Sequence, residues 1–223
     1  MLAIFVLAPA ALFQAPSWLP SLPSLPTLSP QRPPEALALR DAIIGGVPDG
    51  LGDLVQACTA ARVPFRADLL CDGELWRATP VSGKTPRWQR NRNLLPALNN
   101  RAGQAYELTG ADSGCVVNYG EVLGRAFYFR AEGTFSRAAA STGAKACPVD
   151  FDVSISQGGV VVGGSPFFTS AISGPGYLRV LYLDEDIRIF ESPNDSPDKW
   201  EEGGLVVVQV RDALYDDPVD GDL

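Results

Sequence analysis

Asp184, Glu185 and Asp186 set three carboxylates in a row between two apolar runs. Neighbouring carboxylates do general acid–base work when burial keeps one neutral and the other stays ionised. They hold a hard cation when further oxygens complete the shell, but the calcium-loop pattern is absent. The triplet also suits a hairpin turn whose Asp side chains accept backbone amides, with Arg188 pairing to one of them across the turn. At a barrel mouth the same turn would border a ligand.

A second cluster is basic. The run from Lys84 to Arg92, KTPRWQRNR, places Lys84, Arg87, Arg90 and Arg92 around Trp88. On an anionic lipid surface each such cation adds about 1 kcal/mol, and an indole settles at headgroup level. A solvated loop or a contact with a protein gives the same pattern. Interleaved aromatic and basic residues also suit single-stranded nucleic acid. The whole chain argues against that, since 18 Lys and Arg face 26 Asp and Glu, for a net charge of −8.

Other catalytic chemistries lack their residues. Histidine is absent, which removes Ser-His-Asp and Cys-His mechanisms and His-containing metal sites. There is no phosphate loop, no G-x-G-x-x-G and no G-x-S-x-G; Gly158-Gly159 and Gly163-Gly164 read as turn glycines. Cys58, Cys71, Cys115 and Cys147 are widely spaced, without a C-x-x-C pair, so no zinc pattern is present. In a reducing compartment they read as free thiols. In an oxidising one three pairings are open, with Cys58–Cys71 the first to test. The expectation is a protein that is not an enzyme and uses no metal or cofactor.

The elements that position these residues follow from periodicity. Met1 to Phe13 is apolar but too short to span a bilayer, which takes about 20 residues. A Pro- and Ser-rich stretch follows, so residues 1–34 read as a disordered targeting leader and linker. Glu35 to Val47 and Leu51 to Arg62 have helical spacing, bounded by Pro33-Pro34, Gly45-Gly46 and Pro64.

After Cys71 the period becomes two. Val149, Phe151, Val153 and Ile155 alternate with polar residues, as do Phe127, Phe129, Ala131 and Phe135. Further strands are expected at 75–78, 104–108, 115–119, 160–162, 178–183, 187–190 and 205–210, with hairpin turns at Gly158-Gly159 and Asp184–Asp186. The fold class expected is mainly β, an antiparallel barrel of about eight to ten strands preceded by two short helices, spanning 35–211. An acidic tail occupies 212–223, and no transmembrane span is expected in the domain. Closure removes exposed sheet edges, and a barrel of eight or so strands has room for one small ligand. A flat sandwich shares the same periodicity. Trp76, Tyr106, Tyr119, Phe127, Phe129, Phe151, Phe167 and Phe168 are the aromatic side chains that would line a cavity or pack a core.

Four strings carry a likeness to a known family: Gly73-Glu-Leu-Trp-Arg77, Val117-Asn-Tyr-Gly-Glu-Val122, Cys147-Pro-Val-Asp-Phe151 and Gly176 to Ile189, GYLRVLYLDEDIRI. Together they resemble the plastid-lipid-associated proteins, or fibrillins, in an algal form, over about residues 36–211. Directly after the first string, Ala78-Thr79-Pro80 stand where the family usually has an aromatic. The AALFQAP string of the leader resembles the junction of plastid-targeting sequences. The resemblance implies a lipocalin-like barrel and a plastid location on thylakoids or plastoglobules. Barrel pattern, missing catalytic motifs and likeness together lead to the expectation of a lipophilic ligand (prenyl-quinone, carotenoid or acyl lipid), with Trp76, Tyr106, Tyr119, Phe129, Phe151, Tyr182, Asp184 and Arg188 as the candidate ligand-binding residues. The other reading is an assembly partner that docks on a photosynthetic complex or a prenyl-lipid enzyme through Glu191–Glu202 and the acidic tail, carrying no ligand.

Overall fold

The computed structural model describes residues 32–83, 100–192 and 204–219. Three helices come first: α1 (Pro34–Ile44), α2 (Leu51–Ala60) and the single turn α3 (Ala67–Leu70). Eight strands follow: β1 (Trp76–Ser82), β2 (Ala102–Leu108), β3 (Ser113–Glu121), β4 (Phe127–Arg137), β5 (Val149–Val162), β6 (Ser165–Leu183), β7 (Ile187–Ser192) and β8 (Leu205–Arg211). Each pairs antiparallel with the next, and β8 returns to pair with β1, so the sheet closes into a barrel.

The sequence expectation of a barrel after two short helices holds, with two changes. The pieces at 149–155 and 160–162 are one strand, β5, which pairs with β4 and β6 along its length. Gly158-Gly159 is therefore not a hairpin turn. A Cβ on Gly159 would stand 2.5 Å from the Phe168 carbonyl oxygen, so that glycine serves close strand contact. The turn sits at Gly163 and Gly164, whose φ angles of 56° and 79° favour glycine. The second change is at the start of the domain. Arg32 and Pro33 belong to it, and α1 begins at Pro34, a residue suited to the first helical turn.

Alternation sends two sets of side chains to two cores. Outside the barrel, Tyr182, Ile187, Ile189, Val208 and Val210 are fully buried beneath the helices, which contribute Ala36, Leu39 and Ile43 from α1 and Leu51 and Cys58 from α2. The α1 residues recur at three and four positions, one helical face. Inside, Tyr106, Phe135, Phe151, Leu178, Val180 and Phe190 pack with Leu70, which α3 presses into that end of the barrel. Their rings meet edge to face: Tyr106 and Phe135 at 5.4 Å, Phe135 and Phe151 at 5.7 Å, Tyr106 and Phe190 at 6.0 Å.

The hairpin turn at Asp184–Asp186 forms as expected. Asp184 Oδ1 accepts the amides of Asp186 and Ile187, both at 2.8 Å. Its cations differ from the expectation. Arg32 reaches Asp184 at 2.7 Å and Asp186 at 2.6 Å, and Arg40 of α1 reaches Asp186 at 2.7 Å. Arg188 pairs with neither carboxylate, because alternation turns its side chain to the other side of the sheet. The turn thus clamps the entry to α1. Each large aliphatic side chain buried by α1 and α2 contributes about 1.5–3 kcal/mol, more than a partly exposed ion pair at about 1 kcal/mol or less. Apolar burial holds the helices, and the arginines fix where α1 starts.

Candidate functional site

The barrel interior is filled at one end and hollow towards the other. On three strands the inward side chain shrinks along the barrel. Trp76 gives way to Ala78 on β1, Tyr106 to Gln104 and Ala102 on β2, and Phe190 to Ser192 on β7. The space left is a cavity of about 240 Å³, bordered by Ala78, Gln104, Asn118, Phe190, Val207 and Gln209 among others. It lies towards the end where β1 and β7 finish and β8 begins.

The floor of this cavity is a hydrogen-bonded chain that begins at a buried cation. Arg188 is fully buried. Its Nη1 donates to the Leu70 carbonyl (2.9 Å), its Nη2 to the Gln104 carbonyl (2.8 Å) and its Nε to Gln209 Oε1 (2.7 Å). Gln209 Nε2 donates to Gln104 Oε1 (2.7 Å), which also accepts the Tyr106 hydroxyl (3.2 Å). Gln104 Nε2 donates to Asn118 Oδ1 (2.5 Å). The guanidinium sits 4.5 Å from the Trp76 ring centroid, 5.0 Å from Tyr106 and 5.3 Å from Phe190. Among the described residues no carboxylate hydrogen-bonds to it. Burial lowers the Arg188 pKa to about 10, so the side chain stays charged at neutral pH. Burial also pushes the Tyr106 phenol up, keeping it a neutral donor.

Below Arg188 the barrel end is closed by polar contacts. Asp72 accepts the Trp76 indole N–H at 3.2 Å and pairs with Arg211 at 2.7 Å. Arg211 lies 4.5 Å from the same Trp76 ring. Each charge here has a partner or an aromatic face, which makes this end a foundation rather than a binding surface.

The structure does not bring the sequence-predicted ligand residues into one cavity. Trp76, Tyr106 and Phe151 pack the closed end, and Arg188 stands between that end and the cavity floor. Tyr119 borders the cavity, but its hydroxyl donates to Glu121 at 2.6 Å and its ring meets Tyr128 at 4.9 Å. Phe129 keeps the same strand parity as Phe135, towards the cavity end of β4, and is 46% exposed. Phe167 and Phe168, at the start of β6, are exposed at 78% and 59%. Tyr182 and Asp184 belong to the outer face, where the Tyr182 hydroxyl donates to Asp184 at 2.9 Å. The lipid-surface candidates Lys84, Arg87, Trp88, Arg90 and Arg92 lie outside the described residues, as does 193–202 of the Glu191–Glu202 loop.

Of the acidic tail, residues 212–219 are described, and they fold back onto the barrel. Arg77 bonds Asp212 and reaches Asp217 at 2.8 Å, and Arg101 Nη1 donates to the Asp217 carbonyl at 2.8 Å. Arg101 also grips Glu121 at 2.7 Å. Burial alone would raise the Glu121 carboxyl, but the hydrogen bonds from Arg101 and Tyr119 outweigh it and hold it below the usual range. An external cleft of about 460 Å³ runs between this returning segment and the outer face of β2 and β3, walled by Glu74, Glu107 and Arg130. Its walls carry both signs of charge, and the interior cavity is the better enclosed by regular structure.

All four cysteines are free. Burial pushes the Cys58 thiol up to about 11 and those of Cys71 and Cys147 to about 12, which makes them poor nucleophiles and poor metal ligands. Among the described residues no group of three or more acidic or thiol side chains is placed to hold a metal ion, and no helix is long and apolar enough to cross a membrane.

Sequence reasoning missed Gln104, Asn118 and Gln209. Their signal was present: each occupies an inward position of its strand, where polar residues need a partner. Gln104 shares parity with Tyr106, Asn118 with Val116, and Gln209 with Val207. No family model matches the chain, and no curated protein matches it at a significant level.

Proposed function

We propose that this chain is a non-enzymatic plastid protein that holds a small lipophilic ligand in the hollow half of its barrel. The observation that carries the reading is the cavity of about 240 Å³ inside the closed sheet, apolar on its walls at Phe190, Leu178 and Val207 and polar at its floor. Ligand pockets have this composition, mostly apolar with few converging polar groups. The volume falls below the usual range of about 300–1,000 Å³. It equals about eight water-sized volumes, enough for the head and first carbons of a prenyl-quinone, carotenoid or acyl lipid. The remainder would pass out at the end where β1 and β7 finish and β8 begins. The plastid location, and association with thylakoid or plastoglobule lipid, rest on the likeness to plastid-lipid-associated proteins and on the basic run around Trp88. Native mass spectrometry of the domain, purified mildly from its own cells, tests the proposal. One lipophile per chain is expected; an empty protein that also ignores vesicles of thylakoid lipid overturns it.

A second reading, an assembly partner without a ligand, is favoured by the exposed Phe167 and Phe168 on the hairpin of β5 and β6. Replacing both with Ser selects between the two. Loss of a co-purifying protein with unchanged lipid content supports the partner role, and unchanged protein association opposes it.

A further inference from the structure

We propose that the cavity selects ligands whose polar end is a hydrogen-bond acceptor, a carbonyl or carboxylate oxygen seated on the Asn118 side-chain amide. The inference rests on the reading of the cavity as a ligand site and specifies what that site recognises.

The argument is one of polarity passed along the floor. A guanidinium donates and never accepts. Arg188 Nε therefore fixes the Gln209 side chain with Oε1 towards it, at 2.7 Å. Gln209 is left with its amide nitrogen facing Gln104, and the 2.7 Å contact makes Gln104 Oε1 the acceptor. The Tyr106 hydroxyl, 3.2 Å from that oxygen, fits this orientation as a donor. Gln104 must then donate from Nε2, and it meets Asn118 Oδ1 at 2.5 Å. Each amide is locked by the one before it, so none is free to flip. The last member, Asn118, has its oxygen occupied and its Nδ2 left over at the border of the cavity. The chain starts at a cation and ends in a donor.

Electrostatics act in the same sense. Arg188 is a buried charge that no carboxylate contacts among the described residues, and aligned amide dipoles carry its field towards the cavity. In a low-dielectric interior such chains polarise one another. A ligand acceptor at Asn118 Nδ2 completes the chain. A ligand cation at Asn118 Nδ2 meets a donor and, along the chain, a like charge. The cavity volume limits the selected part to the polar head and a few attached carbons.

Three ten-carbon probes test this on the delipidated full chain by calorimetry below their micellar concentrations: decanoate, 2-decanone and decylammonium. They share an apolar body and differ at the head. Decanoate and 2-decanone are expected to bind at least ten-fold tighter than decylammonium. The ratio between the first two shows whether an anionic or a neutral acceptor is the better occupant. In Asn118→Asp, which keeps the oxygen facing Gln104 and replaces the free donor with an acceptor, the order of decanoate and decylammonium should reverse. Equal binding of all three by the unaltered chain overturns the acceptor inference and leaves the cavity reading intact, because the walls alone would then hold the ligand. Binding of none of them overturns both. An unchanged order in a folded Asn118→Asp variant also overturns the inference.

Discussion

The two ends of the barrel interior are built by the same strands and differ in side-chain size and in how their polar groups are used. At the closed end Trp76, Tyr106, Phe135, Phe151 and Phe190 fill the space, and Arg188 hydrogen-bonds to Leu70, Gln104 and Gln209. At the other end Ala78, Ala102 and Ser192 stand on three of those strands and leave about 240 Å³. The hollow is therefore a gradient of side-chain volume along the strands, with no break in the sheet. One end supplies stability and the other supplies room, and the amide chain through Gln209 and Gln104 links them.

The strongest way to break this division is to remove its hinge. Arg188→Met takes away the cation and leaves three buried oxygens without their donor, each costing about 1–3 kcal/mol. Urea unfolding should show a loss above about 3 kcal/mol, and ligand binding should vanish with it. A loss below 1 kcal/mol would show that the barrel does not depend on that network.

Filling the hollow sharpens the contrast from the other side. Ala78→Phe places a ring where the cavity is bordered. Ligand affinity should fall at least ten-fold, while the urea midpoint changes little because the ring enters existing space. A large loss of stability with binding retained would mean that Ala78 belongs to the packed end.

A smaller effect belongs to the outer clamp. Burial would raise the Asp186 carboxyl, but the hydrogen bonds from Arg32 and Arg40 outweigh it and hold it below its ordinary value of 3.8. A depressed folded pKa contributes stability that is complete above the unfolded value and lost as pH falls through the folded one. The clamp should therefore weaken below about pH 4, together with Glu121. Asp186→Asn should cost about 1 kcal/mol at neutral pH and flatten the acid limb of a urea-stability profile. An acid limb of unchanged slope would remove Asp186 from this role. The smallest perturbation is chemical. In the native protein at pH 8 a bulky disulfide reagent should label Cys115, the exposed thiol, well before Cys58, Cys71 and Cys147, and all four should react in denaturant.

Strand parity was legible in the sequence because one face of each strand must be apolar. Val149, Phe151, Val153 and Ile155 face the inner core as their alternation requires, and the Asp184 turn forms where three acidic residues interrupt two apolar runs. The places where reading failed have physical causes. Gly158-Gly159 looks like a turn in isolation, but which glycine pair turns is decided by the lengths of the partners, and β4 and β6 carry pairing on to Val162. The side of the sheet taken by Arg188 followed from its neighbours, since Ile187 and Ile189 face the helices and leave Arg188 facing inward. Its acceptors were not legible, because Leu70, Gln104 and Gln209 are brought together only by closure. Arg32 looked like part of the leader because its partners stand more than 150 positions away.

The pairing of β1 with β8 gives the barrel a temporal order. Trp76 finds its partner Arg211 only once every other strand of the barrel has been synthesised. A chain that stops short of β8 leaves one flank of β1 and one of β7 unsatisfied, an invitation to adhere to other chains. A ribosome-stalled fragment ending before Leu205 should thus be a client of chaperones, and the same molecule released at full length should not.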